Sequence, residues 1–299
     1  MTARIMYVNA ALVGLFAISV NSLAADNATT GTKVAYQQAL DVFNGAQTPM
    51  EKNTLVFSAA PRGTLEASVK KYGPLTEYLS KAIGKKIVYQ YPGTWGVYQG
   101  KMQKGVYDLV YDGPHLNGWR VAKLQHNIVA RIPNDLVFVI VVKKGNTRIT
   151  SVEQLAGRTV CAHAPPNLGT LMLLAKFENP ARQPAIVAVD GWDNIFKGMM
   201  ADQCVAALVP KNAWEKNDKG GIASKLIYKS NPLPNQAFSA GPRISKEDQA
   251  KISQALLSPA AAPYIESVVS EYNATSLVAA NRDEYVVLGD LLKNEWGYN

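Results

Sequence analysis

Three short stretches carry side chains capable of chemistry. The run VYDLVYDGPHLNGW, from Val106 to Trp119, reads as a buried strand that breaks into Asp-Gly-Pro-His and resumes as a helix. It delivers Tyr111, Asp112 and His115 to the C-terminal edge of a strand, where open α/β sheets place ligands. The stretch SAAPRG does the same with Ser58 and Arg62, and HAPPNLGT with His163, Asn167 and Thr170. An arginine pairs bidentately with an oxyanion. A histidine donates to one when protonated and ligates a metal when neutral. The helix opening after Pro166 offers free N–H groups and the positive end of its dipole. Each residue also has a plainer use. Arg62 serves equally as a solvated loop charge, and Asp112, Asn167 and Thr170 serve as helix caps. Gly113 is read as permitting an unusual backbone turn, and Pro114 suits the first helical position.

Aromatic and sulfur residues add to the set. Trp95 and Trp192 open predicted helices at such junctions, where a ring walls a pocket or simply packs; Tyr98 and Asp193 lie beside them. Cys161 and His163 are two apart, hence on one strand face, but no further ligand has a convincing spacing and no metal site is predicted. Cys161 and Cys204 are the only cysteines, open to three readings: a disulfide, two buried thiols, or a soft-metal pair. His126, beside Gln125 in a loop, is expected at the surface. With three histidines, two cysteines and no G-x-S-x-G elbow, the sequence offers no oriented nucleophile. Catalysis and cofactors are not predicted.

The elements that must position these residues follow from periodicity. The first segment, with Arg4, an apolar run to Val20 and small residues at Ser22 and Ala24, reads as an export signal cleaved after Ala24. Its removal lowers the net charge of +8 by one, because Arg4 is its only charged residue. Residues 25–53 form a polar lead-in with one possible short helix over 34–45. The basic residues beyond it are scattered, without the clustered stripe a nucleic-acid surface needs. From Thr54 onward, apolar strands alternate with amphipathic helices, the pattern of parallel sheets with crossovers. The long apolar run DLVFVIVVKK (135–144) suits a segment leaving one lobe for another. The next stretch repeats the plan of the first, and KMQKGVYDLVYDGPHLNGW is weakly echoed by GMMADQCVAALVPKNAW. ASKLIYKSNPLPNQAFSAGP reads as the return crossing, and two helices followed by a polar tail close the chain.

The order SAAPRGTLEASVKKYGPLTEYLSKAIGKKI, then GVYDLVYDGPH, then ITSVEQLAGRTVCAHAP resembles the phosphate/phosphite/phosphonate-binding periplasmic proteins of ABC transporters, from about Leu55 to Gly241. The resemblance implies a two-lobe α/β fold of the type 2 periplasmic-binding class, each lobe a mostly parallel sheet flanked by helices, with two hinge crossings. It places lobe 1 at 54–140 with 240–299 and lobe 2 at 141–239. It also implies an exported, periplasmic, monomeric solute-binding protein that captures a small anion for an ABC permease. The ligand-binding set would be Ser58, Arg62, Trp95, Tyr111, Asp112, His115, His163, Asn167, Thr170, Trp192 and Asp193. The chain departs from the family's pattern in three places: the hydroxyl-rich turn is replaced by His163 to Thr170, the histidine opening the next helix by Trp192, and the amine-binding acid by Val209-Pro210. A signalling subunit, or a metal or redox sensor using Cys161 and His163, are the alternatives.

Overall fold

The computed structural model describes residues 53–292. The predicted export signal and the helix over 34–45 lie outside them. The chain builds two five-stranded sheets. In the first, β1 (Leu55–Ala59), β2 (Ile87–Tyr89) and β3 (Leu109–Asp112) pair in parallel, in the order β2-β1-β3. β10 (Ala237–Ala240) lies antiparallel between β3 and β4 (Asn127–Arg131). The second repeats this plan. β6 (Thr159–Ala162) sits between β7 (Ala185–Ala188) and β8 (Ala206–Pro210), both parallel to it. β5 (Phe138–Lys143) lies antiparallel between β8 and β9 (Ser224–Lys229).

Each crossing therefore ends in the one reversed strand of the sheet it enters. β5 belongs wholly to the second sheet and β10 wholly to the first, so both crossings precede the boundaries read from sequence at 140 and 239. The two crossing segments hydrogen-bond to each other. Leu136 N donates to Leu233 O (2.8 Å), Leu233 N to Leu136 O (3.0 Å), and Ile132 N to Gln236 O (3.0 Å).

Strand alternation sorts the core. In β1, Leu55, Phe57 and Ala59 face α1 (Leu65–Ile83), α7 (Lys246–Leu257) and α8 (Ala262–Val269). Val56 faces α2 (Trp95–Gln103) and α3 (Pro114–Lys123). Helix α1 starts where the Thr64 hydroxyl accepts Ala67 N (3.2 Å) and stops at Gly84, whose φ of +67° is left-handed. It runs through Gly73-Pro74 without ending. Leu75 and Leu79 are fully buried, each contributing roughly 1.5–3 kcal/mol of apolar burial.

In the second sheet, Ile140, Val142, Val160 and Leu208 face the side of α4 (Leu168–Leu174), and Val139, Val141 and Cys161 face α5 (Trp192–Met200). Helix α6 (Lys211–Asn217) follows β8. Cys161 and Cys204 form a disulfide with Cα atoms 5.5 Å apart, tying β6 to the approach of β8.

Two expectations are overturned. His126 is buried, not exposed: its Nδ1 lies 3.2 Å from Ser239 Oγ, and its ring occupies the space where a Cβ on Gly241 would stand. The polar tail is also packed. Helix α9 (Asp283–Val286) lies against α3, burying Tyr285, and Leu288 and Leu292 follow it inward. No helix among the described residues is long and apolar enough to cross a membrane.

Candidate functional site

The two sheets face each other through the loops at their strand ends. Gly113 stands at the junction of β3 and α3, with Pro114 opening the helix. Its φ of −64° is ordinary, so the backbone turn does not require glycine. Space does: a Cβ there would lie 3.1 Å from His115 Cε1 and 3.3 Å from both His115 Nδ1 and Gln236 Oε1. Asn117, fully buried, donates to the carbonyl oxygens of Asp112 and Ala237 (2.9 Å each) and accepts from Ser239 Oγ, locking α3 to β3 and β10.

Asp112 is completely buried and saturated. One oxygen accepts Gly113 N (2.7 Å); the other accepts Arg120 Nη1 (2.9 Å) and the Tyr98 hydroxyl, while Arg120 Nη2 donates to Tyr98 Oη (2.7 Å). Burial raises the Tyr98 phenol well above its usual range, which keeps it a donor. From this base Arg62 rises toward the cleft. Its Nη2 is 3.6 Å from Asp112 Oδ1 and 3.5 Å from Gln236 Oε1, and its Nη1 is 3.4 Å from the Tyr272 hydroxyl. The Arg62 side chain stays 42% exposed, whereas Asp112 is not exposed at all. Arg62 is thus held from below and open above.

The second lobe supplies the facing wall. The turn from β6 into α4 contains a cis Pro165–Pro166 bond. Asn167 caps α4 by accepting Thr170 N (3.3 Å), and the Thr170 hydroxyl donates to His163 O (2.6 Å). His163 meets Trp192 edge to face, ring centroids 4.2 Å apart, and its Nδ1 is 3.9 Å from Asp190 Oδ1. Burial lowers the His163 pKa; Asp190 opposes that, and Arg62, reaching it electrostatically across the cleft, adds to it. Among the described residues a direct contact joins the walls: His115 Nε2 lies 2.7 Å from Pro166 O. Burial lowers the His115 pKa to about 4, leaving the imidazole neutral near pH 7.

The residues singled out in the sequence divide accordingly. Arg62 lies within electrostatic reach of Tyr111, His115 and His163, and His163 packs on Trp192. Ser58 instead donates to Gln90 O (2.8 Å) within the first sheet. Asp112 holds a buried arginine, Asn167 and Thr170 build their own turn, and Asp193 pairs with Lys216 and Asn217 (2.9 Å each) on α6. Trp95 lies on α2, 37% exposed, against Tyr98. The metal reading through Cys161 and His163 is not favoured, because the Cys161 sulfur is bonded to Cys204. Sequence reasoning missed Gln236 and Tyr272, which arrive from the return crossing and the turn after α8; nothing local marks either.

Comparison with known proteins identifies the fold and the family. Residues 57–285 match the family described as ABC transporter, phosphonate, periplasmic substrate-binding protein. The fold is similar to that of a Xanthomonas citri protein bound to ATP (TM-score 0.64, 13% identity, covering 82% of this chain and 100% of that one). It is also similar to PhnD1 of Prochlorococcus marinus in complex with methylphosphonate (TM-score 0.60, 14% identity, 81% and 98%). A third similar structure is the binding-protein component of a Pseudomonas aeruginosa ABC phosphonate transporter (TM-score 0.58, 13% identity, 81% and 86%). No curated protein matches the sequence. At these identities the solved structures establish the fold, and the match over most of the chain establishes membership: the chain belongs to the family of periplasmic substrate-binding proteins of ABC phosphonate transporters.

Proposed function

We propose that the cleft binds a small phosphonate-like oxyanion, with Arg62 as its charge partner and the phenols of Tyr111 and Tyr272 and the amide of Gln236 as neighbours. His163 and Trp192 close over the ligand from the second lobe and contact its organic substituent. The observation that carries this reading is the setting of Arg62: its Nη2 stands 3.6 Å from the fully buried Asp112 while its own side chain stays 42% exposed and open to an incoming anion. Asp112 is already matched by Arg120, so the three groups together leave one positive charge for the ligand. In this account the first 24 residues direct export, the mature chain works as a monomer in the periplasm, and the closed form docks on an ABC permease.

Such a site is strong enough for capture. A ligand of about five heavy atoms, at a ceiling near −1.5 kcal/mol per atom, reaches micromolar affinity. The test is a thermal-shift panel of methylphosphonate, phosphate, phosphite, sulfonates, carboxylates and divalent metals. A true ligand at a hundredfold excess over Kd adds about 2.7 kcal/mol of stability. Stabilisation by methylphosphonate supports the reading; stabilisation by metals or carboxylates alone removes it.

A further inference from the structure

His115 has two ring nitrogens in different situations. Nε2 lies 2.7 Å from the Pro166 carbonyl oxygen, which can only accept, so Nε2 carries the hydrogen. In the neutral ring Nδ1 then presents a lone pair. That atom is buried and has no protein partner, and the residue is only 3% exposed. An acceptor left in this state costs about 1–3 kcal/mol unless a donor reaches it. Nδ1 and Gln236 Oε1 flank the α-carbon of Gly113, each 3.3 Å from the position its Cβ would take, and Gln236 Oε1 is 3.5 Å from Arg62 Nη2. One cation and two acceptors therefore lie close together beneath the exposed face of Arg62.

We infer that His115 is a specificity-determining residue that selects oxyanions bearing a proton on oxygen, as in R–PO₃H⁻, over fully deprotonated or sulfonate analogues. This rests on the oxyanion reading above. Arg62 compensates one negative charge; the ligand's O–H donates to Nδ1. A dianion would bring a second charge with no cation to meet it and would turn oxygen lone pairs toward an acceptor. A sulfonate carries the right charge but no hydrogen. A missing donor at a buried polar position is a strong basis for rejection.

The charged and titratable groups around His115 come from four directions. Asp112 lies at its own junction and Arg120 on α3; Arg62 comes from the β1–α1 loop; Tyr111 and Tyr272 lie beside Arg62 in the first lobe; His163 and Asp190 face them from the second. His115 itself is lowered to about 4, so its ring stays neutral between about pH 7 and 8.5, and burial lowers His163 as well. In that window the ligand's own second ionisation, near neutral pH for phosphate-type groups, dominates the pH dependence.

Titration calorimetry of the mature chain with methylphosphonate and with methanesulfonate, from about pH 7 to 8.5, tests the inference. Methylphosphonate should bind at least about tenfold more tightly than methanesulfonate at the low end of the range. Its affinity should fall as pH rises through its second ionisation, approaching about tenfold per pH unit, while that of methanesulfonate stays flat. His115→Asn places an amide near Nδ1 that can rotate to donate. Both ligands then lose the Pro166 contact equally, so the ratio of their affinities isolates the acceptor, and that ratio should collapse toward one. Equal binding of the two probes by the wild type, tighter methylphosphonate binding at high pH, or an unchanged ratio in His115→Asn each overturns the acceptor role. Failure of both probes to bind at any pH overturns the oxyanion reading itself, and this inference with it.

Discussion

His115 Nε2 and the Pro166 carbonyl oxygen, 2.7 Å apart, join the β3–α3 junction of one lobe to the β6–α4 junction of the other. The bond is buried. At its far end the lobes are tied by the paired crossings at Leu136 and Leu233.

The base of the site should be more sensitive than its rim. Arg120 is 1% exposed and Asp112 not at all. Removing one partner of a buried pair leaves the other uncompensated, which costs about 3–5 kcal/mol. Arg120→Met should lower the unfolding free energy by that order in urea titrations. A loss below about 1 kcal/mol would show that solvent reaches the pair.

Two buried histidines set an acid limit. The pKa of His126 is lowered to about 3 and that of His115 to about 4, in both cases first by burial. Their ordinary value is 6.5, so the unfolded chain binds more protons than the folded one as pH falls. Stability contributed by these groups is full above about pH 6.5 and is lost progressively down to the folded values. At pH 5 each should cost roughly 2 kcal/mol, and His126→Gln should flatten the dependence. A urea midpoint unchanged between pH 7 and 5 would contradict the burial of both rings.

The disulfide closes a separation of 43 residues. In the chain-entropy picture it contributes about 4 kcal/mol. Reduction, or the double Cys161→Ala, Cys204→Ala replacement, should lower Tm by several degrees while leaving ligand selectivity unchanged, because the bridge lies on the α5 side of the second sheet, behind the cleft. Altered selectivity would mean that the bridge positions the β6–α4 turn.

Much of the framework is legible in the sequence because its signals are local. Alternating strands and helices, Asn167 as a cap, and the strand-end clusters all arise within a few residues of one another. The reversed strands β5 and β10 are not legible as such, because their direction is decided by partners about 70 and 125 residues away. Asp112 and Arg120 were separable only by seeing the ion pair; eight residues apart on a strand and a helix, they show no periodic link. His126 reads as surface in the sequence because it sits alone between a helix and a strand. The closing segment misled through its charges, although Tyr285, Leu288 and Leu292 have helical spacing that marks a buried face.

That segment gives a further prediction. Leu292 packs in the cluster that holds Val56, Trp119 and Leu171, Leu291 packs against the core of the second lobe, and the Tyr285 hydroxyl donates to Asn235 O on the return crossing (2.9 Å). It thus touches both lobes and the hinge. A Cβ on Gly118 would lie 2.1 Å from Tyr285 O and 2.9 Å from Gly289 N. Gly118→Ala should expel the segment, seen as rapid proteolysis after about residue 282 and a lower Tm. A variant as resistant as the wild type would place the segment elsewhere in solution.

The central claim is that Arg62 receives an oxyanion between closing lobes. Calorimetric titration of methylphosphonate into the wild type and into Arg62→Ala tests it most directly. Arg62 is partly exposed, so its removal should leave the melting temperature of the unliganded protein within a few degrees. Affinity should fall by about ten- to a hundredfold, the worth of hydrogen bonds to a charged group. Equal affinity in the two proteins would contradict the account.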